Sequence, residues 1–274
     1  MSELRLRSAL YMPGINQRAM DKAKTLDCDA VVFDLEDAVA PDRKAEAREL
    51  VKAQLAAGGY GERILVVRAN GLDTPWGEAD LAAFKGVERV CLPKVEAPEQ
   101  LQAARDLLGA EVTLWAMVET PAGVANVEAL CAEPGLEAIL MGTTDLADQL
   151  RIPHRADRLG LLYALSKCVN AARMHGKLAL DGVFLDIRDA DAYQASCEHG
   201  RALGFDGKTL IHPSQLEAAN AVFGVSEEQL AHARRVIDAW EAAEAAGKAV
   251  AVLDDKLVET MHVEEARRML QLDG

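Results

Sequence analysis

The chain has 274 residues, half of them hydrophobic but only 4% aromatic, so a single large core must be built mainly from Ala, Val, Leu and Ile. Forty-four acidic against 30 basic side chains give a net charge of −14, which opposes binding to nucleic-acid phosphates or to an anionic membrane surface. Any anionic ligand therefore needs a locally basic patch.

The N-terminal stretch Met1–Leu10 mixes charges with apolar residues, and no run approaches the ~18 uninterrupted apolar residues of a membrane span, so neither a signal peptide nor a span is expected. Short apolar runs then recur in order: Ala9–Met12, Ala30–Leu35, Ile64–Arg68, Arg89–Leu92, Val112–Val118, Ala138–Met141, Leu178–Phe184 and Lys208–Ile211. Helix-period stretches such as Arg43–Ala57, Pro98–Leu108, Leu159–His175 and Ala190–Ala202 lie between them. Strand-then-helix alternation with buried strands implies parallel pairing, and about eight such units close into a (β/α)8 TIM barrel of the usual ~250 residues. A doubly wound sheet is the competing α/β fold, but its Gly-rich dinucleotide turn is absent. Residues 1–224 are read as the barrel and 225–274 as a C-terminal helical extension or lid. That extension has a capped helix over Ser226–Gly247, a short Val/Ala/Leu segment around Asp254–Asp255, and a last helix from about His262. Cys28, Cys91, Cys131, Cys168 and Cys197 lack metal-type spacing and read as reduced core thiols of a cytoplasmic protein.

In a barrel the carboxyl ends of the strands converge on one opening, and here those ends are polar. The second strand runs into Asp34-Leu35-Glu36-Asp37, the third into Arg68-Ala69-Asn70, the fourth into Pro93-Lys94, the fifth into Glu119-Thr120-Pro121, the sixth into Gly142-Thr143-Thr144-Asp145 and the eighth into His212-Pro213. Glu119 ends the fifth strand and Asp145 begins the loop of the sixth, so adjacent strands ~4.8 Å apart could hold both carboxylates on one ion. Two carboxylates plus water and substrate oxygens suit Mg2+; equally, each acid suits a helix start. Arg68 emerges from a buried strand to meet either a substrate oxygen or one of Asp34, Glu36 and Asp37. Lys94 and Lys208 raise a Schiff-base alternative. His212 is read first as the cap of the turn at Ser214. Arg7, Arg18 and Lys22 flank Tyr11-Met12-Pro13-Gly14, either as ordinary surface charge or as the basic patch a phosphorylated ligand needs.

Taken together these segments resemble the HpcH/HpaI aldolase and citrate lyase β-subunit-like family. The motifs are Arg7–Gly14, Val32–Val39, Val67–Asn70, Leu92–Lys94, Val118–Pro121, Gly142–Ala147, Ile211–Gln215 and Lys256–Glu259. The resemblance implies a trimeric or hexameric barrel with Mg2+ on Glu119 and Asp145, CoA phosphates on the Arg7, Arg18 and Lys22 loop, and Arg68 polarising a substrate oxygen. By it, too, the Gly142-Thr143-Thr144 loop would take a keto-acid carboxylate and Glu259 would enter a neighbouring subunit's site to move a proton. Independently of it, at least one of Asp34, Glu36 and Asp37 should hold metal-bound water or Arg68, with Glu36 and Asp37 taken as catalytic and the rest capping the loop. Two positions depart from the family: Glu259, usually Asp, and Thr143-Thr144, commonly Ala-Glu. The expected reaction is a reversible Claisen-type cleavage of a 3-hydroxyacyl-CoA thioester, such as malyl-CoA or citramalyl-CoA, to acetyl-CoA plus glyoxylate or pyruvate. Alternatives are a citrate lyase β subunit acting on an acyl-carrier protein, a malyl-CoA thioesterase, a class II aldolase without CoA, and a non-catalytic acyl-CoA-binding barrel.

Overall fold

The computed structural model describes residues 4–155, 157–247 and 250–273. The chain forms two compact units, Leu6–Asn220 and a smaller one from Ala221 onward. The sequence reading had drawn the boundary after residue 224.

The larger unit is a closed ring of eight parallel strands. They are β1 (Ser8–Pro13), β2 (Ala30–Asp34), β3 (Ile64–Arg68), β4 (Arg89–Leu92), β5 (Thr113–Val118), β6 (Leu136–Met141), β7 (Leu178–Asp181) and β8 (Gly207–Leu210). Between them run α1 (Gln17–Ala23), α2 (Lys44–Ala57), α3 (Gly77–Ala83), α4 (Pro98–Leu108), α5 (Pro121–Ala132), α6 (Thr143–Leu150), α7 (Leu162–Met174) and α8 (Ala190–Leu203). The fold is therefore a (β/α)8 barrel, and its strands read as continuous apolar runs because both of their faces are buried. Alternate strand residues, among them Ala9, Val32, Val66, Cys91, Trp115, Met117, Leu140 and Leu180, fill the interior. All five cysteines are buried and free of disulfides. No helix among the described residues is long and apolar enough to cross a membrane.

The strand ends set the site. Asp34 pairs in register with Arg68, and Val118 with Met141, so Glu119 and Gly142 emerge side by side. The seventh strand stops at Asp181 rather than Phe184, and the next residue, Gly182, lies so close to Thr143 that a side chain there would collide with it. On the helix side of β7 and β8, Lys208 is fully buried and donates to Asp181 Oδ2 at 2.7 Å, while Arg158 Nη1 reaches Asp181 Oδ1 at 2.6 Å. Lys208 is thus sealed from substrate, which removes it as a Schiff-base lysine.

Past the eighth strand come α9 (Leu216–Phe223) and α10 (Glu227–Ala245), the latter opened by a reciprocal Ser226–Gln229 capping box. The Val/Ala/Leu segment folds into an antiparallel hairpin of β9 (Ala251–Leu253) and β10 (Lys256–Val258). Its turn residues Asp254 and Asp255 both take positive φ, 49° and 60°, as a two-residue hairpin turn demands. The last helix, α11 (Thr260–Asp273), begins two residues before the expected His262, because the His262 ring accepts from Glu259 N at 3.0 Å and caps it.

Asp181→Asn would leave Lys208 and Arg158 short of a buried counter-charge. Its unfolding free energy in urea should fall by roughly 3–5 kcal/mol, the cost of breaking a buried ion pair from one side. A loss below about 1 kcal/mol would show that the cluster carries no such load.

Candidate active site

Arg68 closes β3 and is almost wholly buried. Its Nε donates to Asp34 Oδ1 at 2.7 Å and its Nη2 to Asp34 Oδ2 at 2.6 Å, a two-pronged pair that fixes the plane of the guanidinium. The Tyr11 ring stacks beneath it, 4.8 Å from ring centre to Cζ. That leaves Nη1 as the edge turned to the other acids: it lies 2.8 Å from Glu36 Oε2 and 3.3 Å from Asp37 Oδ2, and it also donates to the Met117 sulfur at 3.4 Å. The question left open between Asp34, Glu36 and Asp37 is thereby answered: Asp34 holds Arg68 and the other two meet its free edge.

The loop after β2 is shaped from below. Asp34 accepts from the backbone N of Glu36 at 2.8 Å and of Ala38 at 3.1 Å, folding the chain over itself. Lys44, buried and facing the Trp76 ring, donates to the carbonyls of Leu35 at 2.8 Å and Glu36 at 2.7 Å. Asn70, held by Asp80, adds a bond to the Leu35 carbonyl at 3.0 Å. Glu36 is thus rigidly placed, and its Oε2 is buried without an aligned hydrogen bond although Arg68 Nη1 is close. Burial pushes the Glu36 carboxyl up against the opposing pull of Arg68. Asp37 stays exposed at the rim.

Across the opening, Glu119 is buried at the end of β5; its Oε1 accepts from Lys94 N at 2.8 Å, and its other oxygen lies over Gly142. Only a residue without a side chain fits at 142, which explains the glycine. Asp145 stands in the first turn of α6 and is partly exposed. Thr143 is buried at the start of the same helix, with Thr144 beside it half-buried. Lys94 ties the two sides together: its ammonium lies 3.2 Å from Glu36 Oε1 and 3.7 Å from Asp145 Oδ2. Burial works against that charge, but Glu36, Glu119 and Asp145 together raise the lysine above its ordinary range, which keeps it charged and disfavours the free amine that a Schiff base needs. Burial first, and Glu36 second, push Glu119 up to about 7.

The remaining predicted residues are not gathered here. Arg7 precedes β1 and is spent on Asp29, which its N, Nε and Nη2 meet at 2.7, 2.9 and 2.8 Å, at the amino end of the strands and opposite the mouth. That corrects its grouping with the first βα loop. Arg18 and Lys22 are exposed on α1, one helical turn apart. Glu259 lies in the smaller unit, exposed between β10 and α11. The His212 ring accepts from Ser214 N at 3.2 Å, the capping role expected first. Sequence reasoning passed over Lys44, Tyr11 and Met117. The inward parity of β1 and β5 could have found Tyr11 and Met117; nothing local marks Lys44.

Among the described residues no group of three or more His, Cys, Asp or Glu is poised to enclose a metal ion. The carboxylates of Glu119 and Asp145, on neighbouring βα loops, are nevertheless hard oxygen donors of the kind that fits a cation keeping water and substrate in its remaining positions.

The HpcH/HpaI aldolase/citrate lyase model matches residues 7–213. A (3S)-malyl-CoA thioesterase of Cereibacter sphaeroides is 49% identical over 266 residues, 96% of this chain and 93% of that protein. An L-malyl-CoA/beta-methylmalyl-CoA lyase of the same organism is 32% identical, covering 95% of this chain and 92% of its own. Protein CitE from Mycobacterium tuberculosis, solved in complex with magnesium, acetoacetate and coenzyme A, superimposes with a TM-score of 0.82 at 29% identity over 100% of both chains.

With no metal added, Glu119 has a folded-state value of about 7 against 4.5 in the ordinary carboxylate, so the folded state binds its proton more tightly than the unfolded state does. Its contribution to stability is therefore complete below about 4.5 and lost as pH rises through about 7. Denaturant titrations should show Glu119→Gln losing less stability than wild type across that window. Parallel pH profiles would contradict the assignment.

Proposed function

Because the chain belongs to the HpcH/HpaI aldolase/citrate lyase family, we propose that it is a Mg2+-dependent enzyme of malyl-CoA-type 3-hydroxyacyl-CoA thioesters that releases free CoA by hydrolysis. The sequence reading had put carbon–carbon cleavage first. Hydrolysis moves ahead because the relative at 49% identity is named a thioesterase, while the lyase stands at 32%. The observation that carries the site is the opposition, across one barrel mouth, of the Glu119–Asp145 pair to the free edge of a clamped Arg68.

In this reading Glu119 and Asp145 hold Mg2+, which supplies Lewis-acid polarisation of substrate oxygens when bound. The CitE complex contains magnesium, and the two carboxylates here are oxygen donors of the kind it takes. Arg68 Nη1 binds the thioester carbonyl oxygen and stabilises the negative charge that grows there. Glu36, with a raised carboxyl and one oxygen lacking an aligned bond, takes the proton of the attacking water. The water oxygen bonds to the thioester carbon, the carbon–sulfur bond breaks, and the sulfur leaves with a proton as free CoA. Asp37, at the rim, orients that water. The Gly142 N–H is taken by the Val118 carbonyl at 3.1 Å, so the backbone N–H groups of Thr143 and Thr144, where α6 begins, receive the distal carboxylate of the acyl group. Arg18 and Lys22 on α1 meet the CoA phosphates; Arg7, committed to Asp29, does not.

Carbon–carbon cleavage is the second reading, favoured by the lyase relative and by Arg68, which serves an enolate oxygen as well as a carbonyl. Glu36 would take the 3-hydroxyl proton, the bond's electrons would pass into a thioester enolate, and Glu259 of a neighbouring subunit in a homotrimer or hexamer would protonate its carbon.

(3S)-Malyl-CoA incubated with and without Mg2+ separates the readings. Malate plus free CoA supports hydrolysis; acetyl-CoA plus glyoxylate supports the lyase; neither product, or full turnover in excess chelator, overturns both. Glu119→Gln and Asp145→Asn should each lower turnover by about 100-fold or more, with the far-UV spectrum unchanged.

A further inference from the structure

Lys94 follows Pro93 at the end of β4 with φ at 48°, a left-handed backbone that strains a residue carrying a Cβ. The turn is held by the Lys94 N–H, which donates to Glu119 Oε1 at 2.8 Å. It also throws the ammonium over the opening, to 3.2 Å from Glu36 Oε1 and 3.7 Å from Asp145 Oδ2. One strained residue therefore touches three carboxylates, one through its amide and two through its side chain. Among the described residues it is the cation paired with Asp145.

The two cations of the mouth differ in freedom. Arg68 is pinned by Asp34 and the Tyr11 ring and cannot leave without breaking a buried pair. Lys94 is a compact charge on a flexible four-carbon stem, 47% exposed, and can swing away without unpacking anything. The carboxylates it bridges repel one another when ionised and need a positive charge between them.

We infer that Lys94 is the protein's own counter-cation for this cluster: it neutralises Glu36 and Asp145 while no divalent ion is bound, and it gives up Asp145 when the ion arrives. This rests on Glu119 and Asp145 being the Mg2+ pair. Once released, the ammonium faces the same opening as Arg68 Nη1 and is available to the carboxylate of an anionic substrate. Metal loading thus converts an internal ion pair into a substrate-facing cation.

The test is calorimetric titration of Mg2+ into the full chain and its Lys94→Met, Lys94→Gln and Lys94→Arg variants, with thermal melts in the absence and presence of saturating Mg2+. Removing a competing unit charge at this distance should tighten Mg2+ binding by about tenfold in both neutral variants, while Lys94→Arg stays within about threefold of wild type. The neutral variants should melt below wild type without Mg2+, and the gap should close when Mg2+ saturates. Wild type that binds Mg2+ while both neutral variants bind no more tightly overturns the assignment of Lys94 alone. Wild type that binds no Mg2+ overturns the Glu119–Asp145 reading beneath it.

Discussion

The bidentate pair between Arg68 and Asp34 is the interaction on which the rest of the mouth depends. It arises from register: parallel pairing sets the last residue of β2 beside the last residue of β3, so an acid and a base meet at the rim of an apolar barrel. Buried charges persist only when paired and hydrogen-bonded, and this pair satisfies both groups. Asp34 then has capacity left to accept two backbone N–H groups, which folds the Glu36–Asp37 loop back toward the guanidinium. Lys44 and Asn70 lock that loop from behind. Arg68 consequently presents a single edge to the opening, and a single edge gives direction to whatever oxygen it binds.

Charge balance explains the opposite wall. Carboxylates at the mouth outnumber cations, and burial first, with the Glu36 carboxylate second, pushes Glu119 up to about 7. A divalent ion with mostly exchangeable ligands relieves that excess while leaving positions for a substrate. Gly142 is the steric counterpart of the same demand, since a side chain there would displace the Glu119 carboxylate. Just past β7, Gly182 packs on Thr143 in the same way.

Much of this was legible because a barrel strand announces its end by changing from apolar to polar residues. The Ile64–Arg68 and Arg89–Leu92 runs coincide with β3 and β4 residue for residue. Glu119 follows the last residue of β5, and Asp145 lies in the first turn of the helix that follows β6, on the neighbouring βα loop. What sequence could not reveal is decided by contacts distant along the chain. Arg7 looked like part of a basic loop with Arg18 and Lys22, yet a whole strand separates them, and Asp29 claims it at the other end of the barrel. Lys94 gains its place from a left-handed backbone that no residue pattern marks. Lys44 shows the same limit, being a helix-start lysine whose ammonium turns inward to two carbonyls. The hairpin in the smaller unit was hidden because Asp254-Asp255 lacks the glycine that usually signals such a turn.

The clustered acids of the barrel mouth are predicted to form a divalent-cation site on Glu119 and Asp145. Anomalous diffraction from crystals grown with Mn2+, a scattering substitute for Mg2+, tests it most directly. A single strong peak within bonding distance of one oxygen of each carboxylate is the predicted result. A peak elsewhere, or none at the mouth while Lys94 still bridges Glu36 and Asp145, would contradict it.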